Sequence, residues 1–302
     1  MDLTNDKELR DDLDDELRNF HEIARYLKPS SGNVPKIQGI DIAGRSLPLR
    51  KVIGGDHIIY IDFNRRYKLD RRIERATRRK RTEVATKLNE LRSRAGILLA
   101  DVSGHRMTDA LLAAMLHQSF LVGAYYELDR YGEITTRLFE NINSRFYRTT
   151  AVSKYFTMIY GEITVGGTFR FISAGHQPPA IFSREFSSFV SLDTKGLTSF
   201  PPVGLLPSSV GVDDDVDETF RGKKRYEVNQ LNLLSRGDLL LLMTDGLAEH
   251  GDGNFMKEVV EGVLREMIDE PSEAIVSRIE AEIPRYATAD DDISFVVVKR
   301  TV

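Results

Sequence analysis

The sequence predicts an α+β layered sandwich. Strand-like apolar runs come in bunches with helices between the bunches, not in strict strand–helix alternation. Hydrophobic residues make up 41% of 302 residues, enough for a sizeable core. No apolar run reaches the roughly 18 residues that a membrane-spanning helix needs.

The elements follow in order. Leu9, Leu13, Leu17, Phe20, Ala24 and Leu27 recur at intervals of 4, 4, 3, 4 and 3, one apolar seam on a helix, which Pro29 and Ser30-Ser31-Gly32 end. Residues 1–32 are therefore an N-terminal helix, separate from the domain over 33–302. Three readings of it stand: packed on its own domain, a dimerising or partner-docking seam, or a disordered tail. Ile37–Ile42 and Ile58–Ile61 read as strands. Residues 65–94 contain no Gly or Pro and carry Leu69, Ile73, Ala76, Val84, Leu88 and Leu91 at helical spacing, which predicts one long helix. Gly96–Ala100 is a buried strand, and Asp109–Leu121 an apolar helix. Phe156–Val165 and Thr168–Ser173 form a hairpin around Gly166-Gly167. Asp238–Met243 is a strand, helices follow at about 255–268 and 272–283, and Ile293–Val298 is the last strand.

The formal net charge is only -4, but it is a cancellation. Residues 1–19 hold eight acids and three bases, and residues 213–218 (DDDVDE) hold five acids and no base. Residues 65–94 hold thirteen bases and four acids. This excludes a uniformly basic nucleic-acid coat and a uniformly acidic chain. The polar, acidic start lacks the pattern of a signal peptide, so a cytoplasmic location is expected. Cys is absent, so any metal must be held by oxygen or imidazole.

The recurring pattern is an Asp beside a Gly or another Asp where an apolar run meets a loop. It occurs at Gly54-Gly55-Asp56, Asp101-Val102-Ser103-Gly104, Asp245-Gly246 and Asp291-Asp292. Carboxylates gathered at a core edge repel one another unless a cation neutralises them. Hard divalent ions take such all-oxygen sites, and two of them can activate a water toward phosphorus. One Asp-Gly alone is a common turn.

At these residues the sequence resembles the SpoIIE/RsbU-type serine phosphatases of the metal-dependent PPM (protein phosphatase 2C) superfamily. The resemblance runs through about 33–302, in the order PLRKVIGGD, LLADVSGH, TDALLAAMLHQSF, FTMIYGEIT, FRFISAGHQPPAIF, PPVGLLP, SRGDLLLLMTDGLAEH and DDDISFVVVKR. It implies a β-sandwich of two antiparallel sheets flanked by helices, four layers αββα, with a two-metal site for Mn²⁺ or Mg²⁺ at one end. It further implies that Asp56, Asp101 and the carbonyl of Val102 hold one ion, and Asp101, Asp245 and Asp291 the other. Asp292 lies beside the ligands, and Gly55 belongs to the same loop. The implied reaction is hydrolysis of phosphoserine or phosphothreonine on a regulatory protein, of the anti-sigma-factor antagonist type, by a metal-activated water without a phosphoenzyme. His105 reads as a loop residue or a general acid. His176 reads as ordering a loop or contacting substrate.

The chain departs from the family at several points. Arg106 replaces the last Gly of DVSGHG, as a phosphate contact or a solvated side chain. Ile59 stands where a second Asp is usual, with Asp62 the next acid, and Ser294 replaces Thr. The basic stretch 65–94 replaces a short hairpin turn. That stretch is read as a solvated arm, as a dock for an acidic protein or for this chain's own acidic N-terminus in a second subunit, or, ranking last, as a nucleic-acid or membrane-surface binder. The rival to the enzyme is a catalytically weak regulatory protein on the same fold that engages its partner through the basic stretch.

Overall fold

The computed structural model describes residues 3–27, 33–49, 54–104, 107–149, 154–192, 196–208, 224–233 and 235–302. His105, Arg106, the terminator at 29–32 and the acidic block 213–218 lie outside the described residues.

Two five-stranded antiparallel sheets form the centre. The first has the order β1 (Ile40–Leu47), β10 (Ile293–Arg300), β9 (Leu239–Met243), β6 (Ala180–Ser183), β7 (Ser188–Val190). The second has the order β2 (His57–Asp62), β3 (Arg94–Val102), β4 (Phe156–Thr164), β5 (Thr168–Ala174), β8 (Asn229–Asn232). Between the sheets lie Ile42, Ile58, Ile97, Leu99, Ile159, Phe171, Leu240, Leu242, Val296 and Val298. Each such side chain contributes about 1.5–3 kcal/mol when fully buried. Because side chains alternate along a strand, the opposite faces carry two further cores. Leu98, Ala100 and Tyr160 pack under Phe120, Leu128 and Phe139 of α5 (Met107–Tyr131) and α6 (Thr136–Thr149). Leu241, Phe295 and Val297 pack under Leu264, Ile275, Val276 and Ile279 of α8 (Glu261–Glu266) and α9 (Ser272–Tyr286). The fold is thus the expected four-layer αββα sandwich.

One element is not as expected. The single basic helix over 65–94 is three: α2 (Phe63–Tyr67), α3 (Leu69–Arg78) and α4 (Thr82–Glu90), then a 3-10 turn at Leu91–Ser93. The breaks fall at Lys68 and Lys80, both in left-handed backbone at φ 49° and 55°. A straight helix of 30 residues would run about 45 Å, past the edge of the domain. Folding back instead lets Leu69, Ala76, Leu88 and Leu91 all reach the core over the second sheet.

The N-terminal helix α1 (Leu3–Leu27) contacts α5, yet Leu13 remains 60% exposed and Ile23 65%. No helix among the described residues is long and apolar enough to cross a membrane.

Candidate active site

The four Asp-containing turns meet at one end of the sandwich. Asp56 precedes β2, Asp101 lies near the end of β3, Asp245 stands two residues after β9, and Asp291 two residues before β10. Antiparallel pairing brings them together two by two, since His57 faces Ala100 across β2–β3 and Met243 faces Phe295 across β9–β10, and hydrogen bonds from Thr244 to Asp56 and from Gly55 to Asp292 join the pairs across the two sheets. Starts and ends of paired neighbours therefore share one edge.

Asp56 is buried, 8% exposed, and Asp292 3%. Asp56 Oδ2 accepts from Thr244 Oγ1 at 2.8 Å, and Thr244 Oγ1 in turn accepts from Ser294 N at 3.0 Å. Asp56 Oδ1 is buried with no donor. Burial, followed by the charge of Asp101, pushes the Asp56 carboxyl well above the usual carboxylate range. Asp101 is raised too, to about 7, first by burial and then by Asp245, Asp291 and Asp292. Asp245 is raised by burial and by Asp291. Five carboxylates thus feel one another. Among the described residues no three His, Asp or Glu side chains close on a single point as a tight cage would. The donor chemistry nonetheless fits a hard divalent cation: all ligands are oxygen, one buried oxygen is orphaned, and the carboxylates repel.

The loops around them are tightly packed. Asp292 accepts from Leu49 N at 2.7 Å through Oδ1 and from Gly55 N at 2.6 Å through Oδ2. A Cβ on Gly55 would stand 2.5 Å from the Gly104 carbonyl oxygen and 2.8 Å from that of Val102. Only glycine lets the two loops approach this closely. Lys154 Nζ donates to Ser103 O and to Asp109 Oδ1, both at 2.7 Å, tying the DVSG loop to the first turn of α5. His57 and His117 lie in contact, Nε2 to Nδ1 at 2.8 Å. Burial, with help from Arg66, lowers His117 to about 4.

His176 is buried, with Nδ1 at 2.8 Å from Thr157 Oγ1, and burial lowers its imidazole to about 3. Thr157 faces Asp101 across β4–β3, which places His176 behind the site and one side chain removed from it. Ile59 is buried in the core, and Asp62 caps α2 through Arg65 N at 2.9 Å, so neither joins the carboxylates. Asp245, Gly246, Glu249, Asp252, Gly253, Asp290 and Asp291 line an open cavity of about 460 Å³ beside them. Thr244, Asp109 and Lys154 were not expected from the sequence. Only Thr244 carried a signal there, through its place beside Asp245.

The family model for Stage II sporulation protein E (SpoIIE) matches residues 92–301. The phosphoserine phosphatase RsbU of Bacillus subtilis (strain 168) is 23% identical over 211 residues, 68% of this chain and 56% of that protein. The chain thus spans just over half the length of this curated relative. The SiaA-PP2C domain of Pseudomonas aeruginosa superposes with a TM-score of 0.62 at 14% identity, covering 98% of each chain. The RsbU and RsbW domains of a Mycobacterium tuberculosis protein superpose with 0.60 at 20% identity, covering 89% of this chain and 62% of that one. With the family match covering more than half of its residues, the chain belongs to the SpoIIE family.

Proposed function

We propose that the chain is a metal-dependent serine/threonine phosphatase that hydrolyses phosphoserine or phosphothreonine on a regulatory protein, of the anti-sigma-factor antagonist type. The observation that carries the reading is the mutually repelling set Asp56, Asp101, Asp245 and Asp291, whose buried member Asp56 has an orphaned oxygen. In this reading Asp56, Asp101 and the Val102 carbonyl hold one Mn²⁺ or Mg²⁺, and Asp101, Asp245 and Asp291 a second. Such ions supply a water of lowered pKa and positive charge that offsets the transferring phosphoryl group.

The chain's own residues do the positioning. Thr244 aims Asp56, while Asp292 pins the Gly54-Gly55 loop through backbone donors. Lys154 fixes the Ser103 carbonyl beside the same centre. The acidic cavity next to it repels a phosphate in the absence of cations, so cation loading also sets when substrate binds. The α1 seam, with Leu13 and Ile23 exposed, is the surface on which this reading places a homodimer or an activating partner.

The test is Mn²⁺-dependent hydrolysis of p-nitrophenyl phosphate and of a phosphoserine protein by wild type and Asp245→Asn. Turnover should require the metal and fall at least about 100-fold in the variant, the scale of a lost metal ligand. No metal-dependent turnover by the wild type would overturn the proposal and favour the regulatory binding protein.

A further inference from the structure

The helical insert encloses a second charged cavity, of about 520 Å³, far from the carboxylates. Its walls carry Arg72, Arg75, Arg79, Arg81 and Arg130, and its lining holds one acid, Asp129. Ala76, Val84 and Leu88 form an apolar floor, and Tyr126, 66% exposed, stands at its rim.

Two of the guanidiniums are held in place by groups that mostly orient without neutralising. Arg72, 6% exposed, donates to the carbonyls of Tyr67 at 2.9 Å and Tyr125 at 3.2 Å, and to Asp129. Its guanidinium also lies over the Tyr125 ring, 4.3 Å from the centroid. Arg81 donates to the Asp129 carbonyl at 2.8 Å and to that of Arg130. Asp129 is further shared with Arg75 at 3.6 Å. One carboxylate therefore serves five cations: Arg72 and Arg81 are fixed largely by backbone carbonyls, while Arg75, Arg79 and Arg130 stand exposed around them. Guanidiniums bind phosphate oxygens in bidentate pairs, and the two fixed ones hold positive charge at the back of the cavity whatever its occupant. The cavity's size is that of a small-molecule site, within the usual range of about 300–1,000 Å³.

We propose that this cavity binds a small phosphorylated molecule carrying at least two phosphate charges. Arg75, Arg79 and Arg130 hold the phosphates, and the organic part lies over the Ala76–Val84–Leu88 floor beside Tyr126. The charge lines a concavity of small-molecule size over an apolar floor, which fits a compact phosphorylated molecule. The site lies at the far end of α5 from Asp109, about 30 Å along the helix, and its existence does not depend on the phosphatase reading.

The probes are pyrophosphate and ADP, titrated calorimetrically into the full chain in EDTA, at ionic strength matched with sodium chloride. Without metal, the carboxylate site repels anions, so heat reports the arginine cavity. At least one probe should bind, and Arg75→Glu/Arg79→Glu should weaken it at least about tenfold. Both side chains sit at the cavity's exposed rim, and an unchanged melting temperature will show that the variant is folded. Binding of neither probe to the wild type overturns the proposal, as does binding that survives the double charge reversal. So does a result in which only an acidic peptide binds, which would make the insert a protein dock.

Discussion

The molecule gathers charge of one sign in two places and treats the two differently. At the sandwich edge five carboxylates converge, and their inner member, Asp56, has a buried oxygen with no donor. Where the helical insert meets α5, four of its guanidiniums and that of Arg130 converge, and their inner member, Arg72, is satisfied by two carbonyls, a carboxylate and an aromatic face. The carboxylates can shed their charge by taking up protons, and burial pushes Asp56, Asp101 and Asp245 that way. Guanidiniums cannot do so at any ordinary pH, so theirs must be anchored. Unpaired charge on the first site is a cost that a cation removes. On the second site the innermost charge is part of the structure.

The largest test of that contrast is Arg72→Ala. It leaves Asp129 with only Arg75, at 3.6 Å, and removes a donor from the backbone carbonyls of Tyr67 and Tyr125. Breaking a fully buried ion pair from one side costs about 3–5 kcal/mol; Asp129 is partly exposed and keeps Arg75, so urea unfolding should show a smaller loss, about 2–3 kcal/mol, most of it from the buried carbonyls. Arg72→Lys should recover only part of it, because one ammonium cannot reach all the acceptors. A loss below about 1 kcal/mol would mean that the inner arginine is as dispensable as the outer ones.

At the other site the sign should reverse. Asp101→Asn removes a charge that Asp245, Asp291 and Asp292 oppose. In EDTA at about pH 8.5, well above ordinary carboxylate values, the variant should be more stable than the wild type by about 1–2 kcal/mol. With Mn²⁺ present the order should invert, since the wild type alone gains full stabilisation from metal binding. If Asp101→Asn destabilises the metal-free protein, the carboxylates are not in net repulsion, and the contrast between the two sites fails.

Much of this was legible in the sequence, for identifiable reasons. The long strands β3, β4, β9 and β10 are continuous apolar runs, so periodicity and turns located them. The Asp turns at their ends marked the carboxylates that gather at one edge, and antiparallel pairing accounts for their meeting within each sheet though not between the sheets. What escaped was short or distant. Strands β6, β7 and β8 are three or four residues long, and β8 reads Asn-Gln-Leu-Asn, with no apolar pattern to find. Helix α6 did carry a signal in Leu138, Phe139, Ile142 and Phe146, all buried. The insert was misread because two lysines take left-handed backbone without the glycine that usually marks such a turn. The Lys154–Asp109 pair spans 45 positions, and no local pattern announces it.

The smallest effect concerns the side chain that couples the two sheets at the site. Thr244 is fully buried, and its backbone N–H donates to the Ser294 carbonyl at 2.9 Å while its hydroxyl serves Asp56 from the opposite sheet. Thr244→Val keeps the β-branched shape and deletes only the donor. Asp56 then has neither oxygen satisfied by that residue, and its proton becomes harder to displace. We expect about 1 kcal/mol of lost stability in EDTA, on the scale of one hydrogen bond. The Mn²⁺ concentration for half-maximal turnover should rise several-fold, because an ion must displace a more firmly held proton. Thr244→Ser, which restores the hydroxyl, should return the Mn²⁺ dependence while leaving a packing defect. That split separates aiming of Asp56 from mere filling of space: if Val and Ser shift the Mn²⁺ requirement equally, the hydroxyl does not orient the carboxylate.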